Sequence, residues 1–156
     1  MCFFSYLIFV KKQVNIQFRI ESFSLNQNKQ YQPRLLCFLS KFKGQGLEIY
    51  FSETKNLTLR SNVKNIDFDY PFKENKWYFI SIVHKKLLFG DEAILYVNGS
   101  EASKKKITYP TINHDDFGFY IGTNFLIDTS FCKITNKYPF YGQIGLFLFF
   151  FFLFIF

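Results

Sequence analysis

Residues that build chemical sites are scarce in this sequence. Cysteine occurs three times in 156 residues, as Cys2, Cys37 and Cys132, an odd number without C-x-x-C spacing. Neither a disulfide framework nor a zinc site is indicated. Cys37 falls inside an apolar run and reads as a small core residue in a reducing compartment. Histidine occurs twice, as His84 and His114, with no ligand spacing around either. Catalytic motifs are missing too. No Ser stands in G-x-S-x-G, and neither Gly44-x-Gly46 nor Gly142-x-x-Gly145 makes a phosphate loop. Glycoside hydrolysis needs two carboxylates projecting from one strand, whereas Glu21 and Glu48 are each single outward residues on their strands. Acidic residues number 12 against 19 Lys and Arg, a formal charge of +7, which admits anionic membranes, acidic proteins or nucleic acid as partners and selects none.

What is present in quantity is strand pattern. In K-W-Y-F-I-S-I-V-H, from Lys76 to His84, Tyr78, Ile80, Ile82 and His84 share one face and Trp77, Phe79, Ser81 and Val83 the other. Both faces are largely apolar, which predicts a central strand. The run I-L-Y-V-N-G that follows ends in Asn98-Gly99, whose tolerance of positive φ suits a type I′ hairpin turn. Asn15 to Glu21 alternates, with Ile16, Phe18 and Ile20 inward and Gln17, Arg19 and Glu21 outward. Gly46 to Ser52 does the same, with Leu47, Ile49 and Phe51 against Glu48, Tyr50 and Ser52. Such alternation describes half-buried antiparallel strands. Asn56 to Arg60 reads as a short strand, and Ser24 to Pro33, Lys41 to Gly46, Asn113 to Asp116 and Asp128 to Lys137 as loops or turns. No helix, internal repeat or linker is predicted. The expected core is Trp77, Ile80, Ile82, Leu95, Val97 and Ile121, buried between two sheets.

Taken in order, the Trp77 strand, the strand ending Tyr96-Val97-Asn98-Gly99, then Phe119-Tyr120-Ile121-Gly122 and Phe140-Tyr141-Gly142-Gln143-Ile144-Gly145 make a set. It resembles the concanavalin A-like, laminin G-like jelly-roll domain of the neurobeachin-type BEACH proteins. Upstream, Phe18-Arg19-Ile20-Glu21, Leu35-Leu36-Cys37-Phe38-Leu39 and Gly46-Leu47-Glu48-Ile49-Tyr50-Phe51 stand where that family has its first strands. The resemblance runs from about Ile16 to Ile144. It implies an all-β, antiparallel two-sheet jelly-roll sandwich, here a fragment incomplete at both ends. It also implies a non-catalytic protein-interaction or ligand-recognition module of a vesicle-trafficking scaffold, located in the cytoplasm or at the periphery of membranes. A carbohydrate-binding lectin-like domain of a surface protein is the alternative, with a sandwich glycosidase remnant behind it.

The two ends do not fit this middle. Residues 1–14 open with M-C-F-F-S-Y-L-I-F-V and only then reach Lys11-Lys12, the reverse of a secretory signal. Residues 15–145 hold the sandwich. Residues 146–156 are L-F-L-F-F-F-F-L-F-I-F, eleven apolar residues where a spanning helix needs about twenty. This Phe tract is expected to replace a polar-alternating final strand, as read-through of a non-coding stretch would, with a membrane-embedded tail as the other reading.

Loops at the sandwich rim are the expected ligand-binding positions, because they vary without disturbing the core: Asn113, His114, Asp115, Asp116, Asp91 and Glu92. The ordinary reading of the two histidines is a strand-end residue and a solvated loop. No cofactor is called for; calcium on Asp115, Asp116, Asp91 and Glu92 is the alternative, without EF-type spacing. Lys104, Lys105 and Lys106 form an expected anionic-surface patch, against the ordinary reading of a solvated rim that guards a sheet edge. Expected partners are proteins or a membrane surface, with carbohydrate as the alternative; nucleic acid is not expected, because the aromatics follow a chain-wide Phe excess rather than a stacking platform. The sequons at Asn56 and Asn98 read as chance.

Overall fold

The structure, a computed structural model, describes residues 8–23, 32–40, 45–62, 64–87, 89–110, 117–122, 124–128, 133–137 and 140–155. Two antiparallel five-stranded sheets face each other, and no helix occurs among these residues. The first sheet is built from β1 (Ile8–Ile20), β6 (Trp77–Lys86), β7 (Glu92–Val97), β8 (Ser100–Lys106) and β12 (Gly142–Ile155), in the order β12-β1-β6-β7-β8. The second contains β2 (Arg34–Ser40), β3 (Gly46–Phe51), β4 (Leu57–Ser61), β5 (Lys64–Phe68) and β9 (Phe117–Ile121), in the order β5-β4-β3-β2-β9. A separate hairpin joins β10 (Asn124–Asp128) to β11 (Lys133–Lys137). The expected jelly-roll sandwich is the observed one, with the Trp77 strand at the centre of its sheet.

Alternation supplies the core. Val14, Ile16, Phe18 and Ile20 of β1 and Tyr78, Ile80 and Ile82 of β6 meet Leu47, Ile49 and Phe51 of β3 and Leu57 and Leu59 of β4. Phe18 lies at the middle, its ring centroid 5.7 Å from Phe51, 5.8 Å from Phe72, 5.9 Å from Tyr78 and 6.0 Å from Phe140. Burying one such side chain is worth about 1.5–3 kcal/mol, and the edge-on ring pairs add about 0.5–1.5 kcal/mol each. The turn after β7 follows from its sequence: Asn98 has φ 50° and Gly99 φ 87°.

Several expectations are corrected. Trp77 is 45% exposed, because the face it shares with Phe79 points away from the second sheet while Tyr78, Ile80 and Ile82 point in. A strand apolar on both sides does not declare which side is inward. Ile121 is 42% exposed although its register partner Leu36 is fully buried. It lies on β9, which has a paired neighbour on one side only. Glu48 and Tyr50 lie on the outer side of β3 as expected, but they are buried there beneath arginines from the adjoining strands. Residues 133–137, expected in a loop, pair with β10, Ile127 opposite Ile134.

β1 and β12 pair in register from Ile8 opposite Ile155 to Ile20 opposite Gly142, with a shift between Ile16 and Phe18. The expected segment boundaries at 14/15 and 145/146 therefore fall within strands. No helix among the described residues is long and apolar enough to cross a membrane.

Candidate ligand-binding face

The outer face of the first sheet is assembled by register. Arg19 lies opposite Trp77, Gln17 opposite Phe79, Asn15 opposite Ser81 and Gln13 opposite Val83. Tyr96 of β7 continues the Ser81 row. A column of amides thus runs beside a column that begins with two aromatic rings, because β1 reads Q-V-N-I-Q-F-R and β6 reads W-Y-F-I-S at the same two-residue period. Gln13 donates from Nε2 to Asn15 Oδ1 at 3.0 Å and to Ser81 Oγ at 3.1 Å, which fixes the floor. The Arg19 guanidinium stands 5.9 Å from the Trp77 ring centroid and 3.3 Å from Glu21. A shallow depression of about 350 Å³ lies among Gln13, Asn15, Phe79, Ser81, Tyr96 and Gly99. Phe79 is 39% exposed. Such a face can hold an apolar plate against its rings and satisfy hydroxyl or amide groups from its polar column. Among its described residues no nucleophile stands beside a base: the Ser81 hydroxyl oxygen accepts from the Gln13 amide.

The rim residues are placed differently. Asp91 spends both carboxylate oxygens on backbone, Oδ1 accepting Leu87 N–H at 3.1 Å and Oδ2 accepting Tyr109 N–H at 2.7 Å. Glu92 lies on β7 with Oε1 3.7 Å from Lys85 and Oε2 2.6 Å from Lys104. Lys104, assisted by Lys85, holds that carboxyl below the ordinary glutamate range. Each of these carboxylate oxygens thus has a partner within the domain. Asn113, His114, Asp115 and Asp116 lie outside the described residues. Among those described, no three His, Cys, Asp or Glu side chains gather as metal ligands.

Lys104, Lys105 and Lys106 do not share one face. Lys104 reaches Glu92 on the outer side of the first sheet, and Lys105 reaches Asp69, just beyond β5. His84 is buried at the end of β6, Nε2 3.1 Å from the Ile107 carbonyl and its ring 4.9 Å from that of Tyr109.

The outer side of the second sheet carries a buried ionic row. Glu48, with no solvent exposure, meets Arg60 Nη1 at 2.8 Å and Arg34 Nε at 3.6 Å. The Arg34 guanidinium covers the Tyr50 ring at 3.8 Å, and Cys37 Sγ donates to Glu48 Oε1 at 3.5 Å. Burial and the Glu48 charge together push the Cys37 thiol well above its usual range. A carboxylate so paired joins three strands.

The family described as the concanavalin A-like lectin/glucanases superfamily, laminin G type, matches residues 23–150. The chain belongs to this superfamily. Among curated proteins it is 28% identical over 105 residues to the BEACH domain-containing protein lvsE of Dictyostelium discoideum, a match over 65% of this chain and 5% of that one. Among solved structures it is similar to a putative carbohydrate binding protein from Bacteroides ovatus, with TM-score 0.61 and 14% identity over 90% of this chain and 40% of the other. It is also similar to the native heptameric SAP-like pentraxin of Limulus polyphemus, with TM-score 0.59 and 14% identity over 94% and 67%. These structural similarities concern the sandwich fold. The chain spans only a small part of the lvsE protein.

The amide and aromatic columns were absent from the expected ligand positions. Their signal was Gln13-x-Asn15-x-Gln17-x-Arg19, amides at every second position of a strand whose partner displays Trp77 and Phe79.

Proposed function

We propose that this superfamily member is a non-catalytic recognition module of a BEACH-type trafficking scaffold, and that it recognises its partner with the outer face of the first sheet. One observation carries the reading: Trp77 and Phe79 stand exposed two residues apart on a central strand beside Gln13, Asn15 and Gln17. A solvated sheet face ordinarily alternates to polar residues, and exposed rings flanked by polar groups are the composition of interface centres. The similarity to lvsE supports the scaffold context. Neither described cleft is lined by two carboxylates, which supports binding without hydrolysis. The test is cellular. The domain fused to a fluorescent protein should gather on vesicle membranes, and the Trp77→Ala, Phe79→Ala double variant should be diffuse; an unchanged distribution would contradict the reading.

Carbohydrate is the second reading, favoured by the same pairing of ring faces with amides and the Ser81 hydroxyl, since a pyranose presents an apolar face and a hydroxyl rim. The lone Trp77 reports on it directly. Soluble oligosaccharides should change its emission in the wild-type protein and leave it unchanged in Gln13→Ala, Phe79→Ala. No response from the wild type to any neutral or charged oligosaccharide would remove this reading.

A further inference from the structure

We propose that the cleft between Lys64 and Lys106, at the shared end of the two sheets, is an anion site that takes a phosphate monoester. This goes beyond the first-sheet reading and uses different residues. The cleft has a volume of about 410 Å³ and is lined by Lys64, Gly90, Asp91, Lys106, Ile107 and Thr108, a size that suits a small ligand or headgroup. Lys64 opens β5 of the second sheet and Lys106 closes β8 of the first, so the two cations reach the cleft from opposite layers.

Its walls are held in place. Ile107 N–H donates to the Asp91 carbonyl at 3.1 Å, Tyr109 N–H to Asp91 Oδ2 at 2.7 Å, and Ser61 Oγ to the Thr108 carbonyl at 2.6 Å. A site fixed before binding loses less order on occupation. Asp91, the acid among the described lining residues, keeps its charge but turns both oxygens to backbone N–H groups, and Lys105 is paired with Asp69. Lys85 and Lys104 are spent on Glu92. Lys64 and Lys106 are both exposed and neither has an ion-pair partner among the described residues. Two ammonium groups without ion-pair partners, each a compact charge with three donors, outnumber the single Asp91 carboxylate and suit a phosphate monoester, which carries about −1.5 to −2 at neutral pH. The exposed Thr108 hydroxyl adds a donor, and Gly90, at φ 106° with room for a Cβ on every side, leaves the mouth open.

A phosphorylated lipid headgroup and a soluble phosphate ester share this chemistry, and the experiment separates them. Inositol trisphosphate is titrated into the full chain by calorimetry, and co-sedimentation is measured with phosphatidylcholine vesicles with and without phosphatidylinositol bisphosphate. Inositol trisphosphate should bind the wild type, on the order of tenfold more weakly to the Lys64→Gln, Lys106→Gln double variant, and within about twofold of wild type to Lys104→Gln. Vesicle binding with the same dependence assigns the headgroup as source; binding of the soluble ester alone assigns the ester. No heat from inositol trisphosphate at millimolar concentration, or equal loss in Lys104→Gln and the double variant, would overturn the proposal.

Discussion

Arg60 places Nη1 2.8 Å from Oε2 of Glu48, a carboxylate wholly shielded from solvent on the outer side of the second sheet. With Arg34 on the other oxygen, Glu48 joins β2, β3 and β4 across a face that its sequence marks as solvated.

Glu48→Gln should therefore destabilise the domain by on the order of 3 kcal/mol, because it leaves two guanidinium groups facing a neutral amide, one of them nearly buried. Glu101→Gln, an exposed residue on β8, should lie within about 0.5 kcal/mol of wild type. Urea unfolding of the three proteins compares them; equal midpoints for Glu48→Gln and wild type would mean that the ionic row contributes nothing.

The alternation in β1, β3, β6 and β7 and the Asn98-Gly99 turn were legible because they are local: a period of two and a dipeptide with the right φ preference. The burial of Glu48 was not legible because its partners stand 12 and 14 residues away in sequence and meet it only through register. Trp77 was misread for a related reason. Period two separates Trp77 and Phe79 from Tyr78 and Ile80, but only the position of the second sheet decides which pair is covered. The candidate face lies in strands, where amides at alternate positions look like ordinary solvated residues.

Two glycines with positive φ should respond differently to substitution. At Gly99 a Cβ meets nothing within 4 Å, so Gly99→Val should destabilise through backbone strain alone, by more than about 1 kcal/mol. At Gly46, φ 142°, a Cβ would collide with the Phe38 carbonyl oxygen, and Gly46→Ala should be the more damaging change. Thermal melts of both variants give the order; a milder Gly46→Ala would contradict the β2–β3 geometry.

Cys37 should be inert in the native protein. It is fully buried, and burial with the neighbouring Glu48 disfavours the thiolate, the reactive form. A Cys2→Ser, Cys132→Ser variant should react with an aromatic disulfide reagent only at the rate of unfolding, and rapid labelling without denaturant would contradict the placement.

Acidification should remove the Glu92 interaction. Its carboxyl is held below the ordinary glutamate range by Lys104, so its contribution is present above that range and is lost as pH falls through the lowered value. Glu92→Gln should show a shallower loss of stability across that acid window than wild type, and the difference should shrink in high salt. Parallel pH profiles would mean that the ion pair does not persist in solution.

The central claim is that partners meet the face bearing Trp77 and Phe79. Site-specific photocrosslinking tests it most directly, with p-benzoylphenylalanine in place of Phe79 or, on the exposed β3–β4 turn, in place of Glu53. Irradiation of cells expressing each protein should give adducts from position 79 and none from position 53. Adducts from position 53 with none from position 79 would place recognition elsewhere on the sandwich.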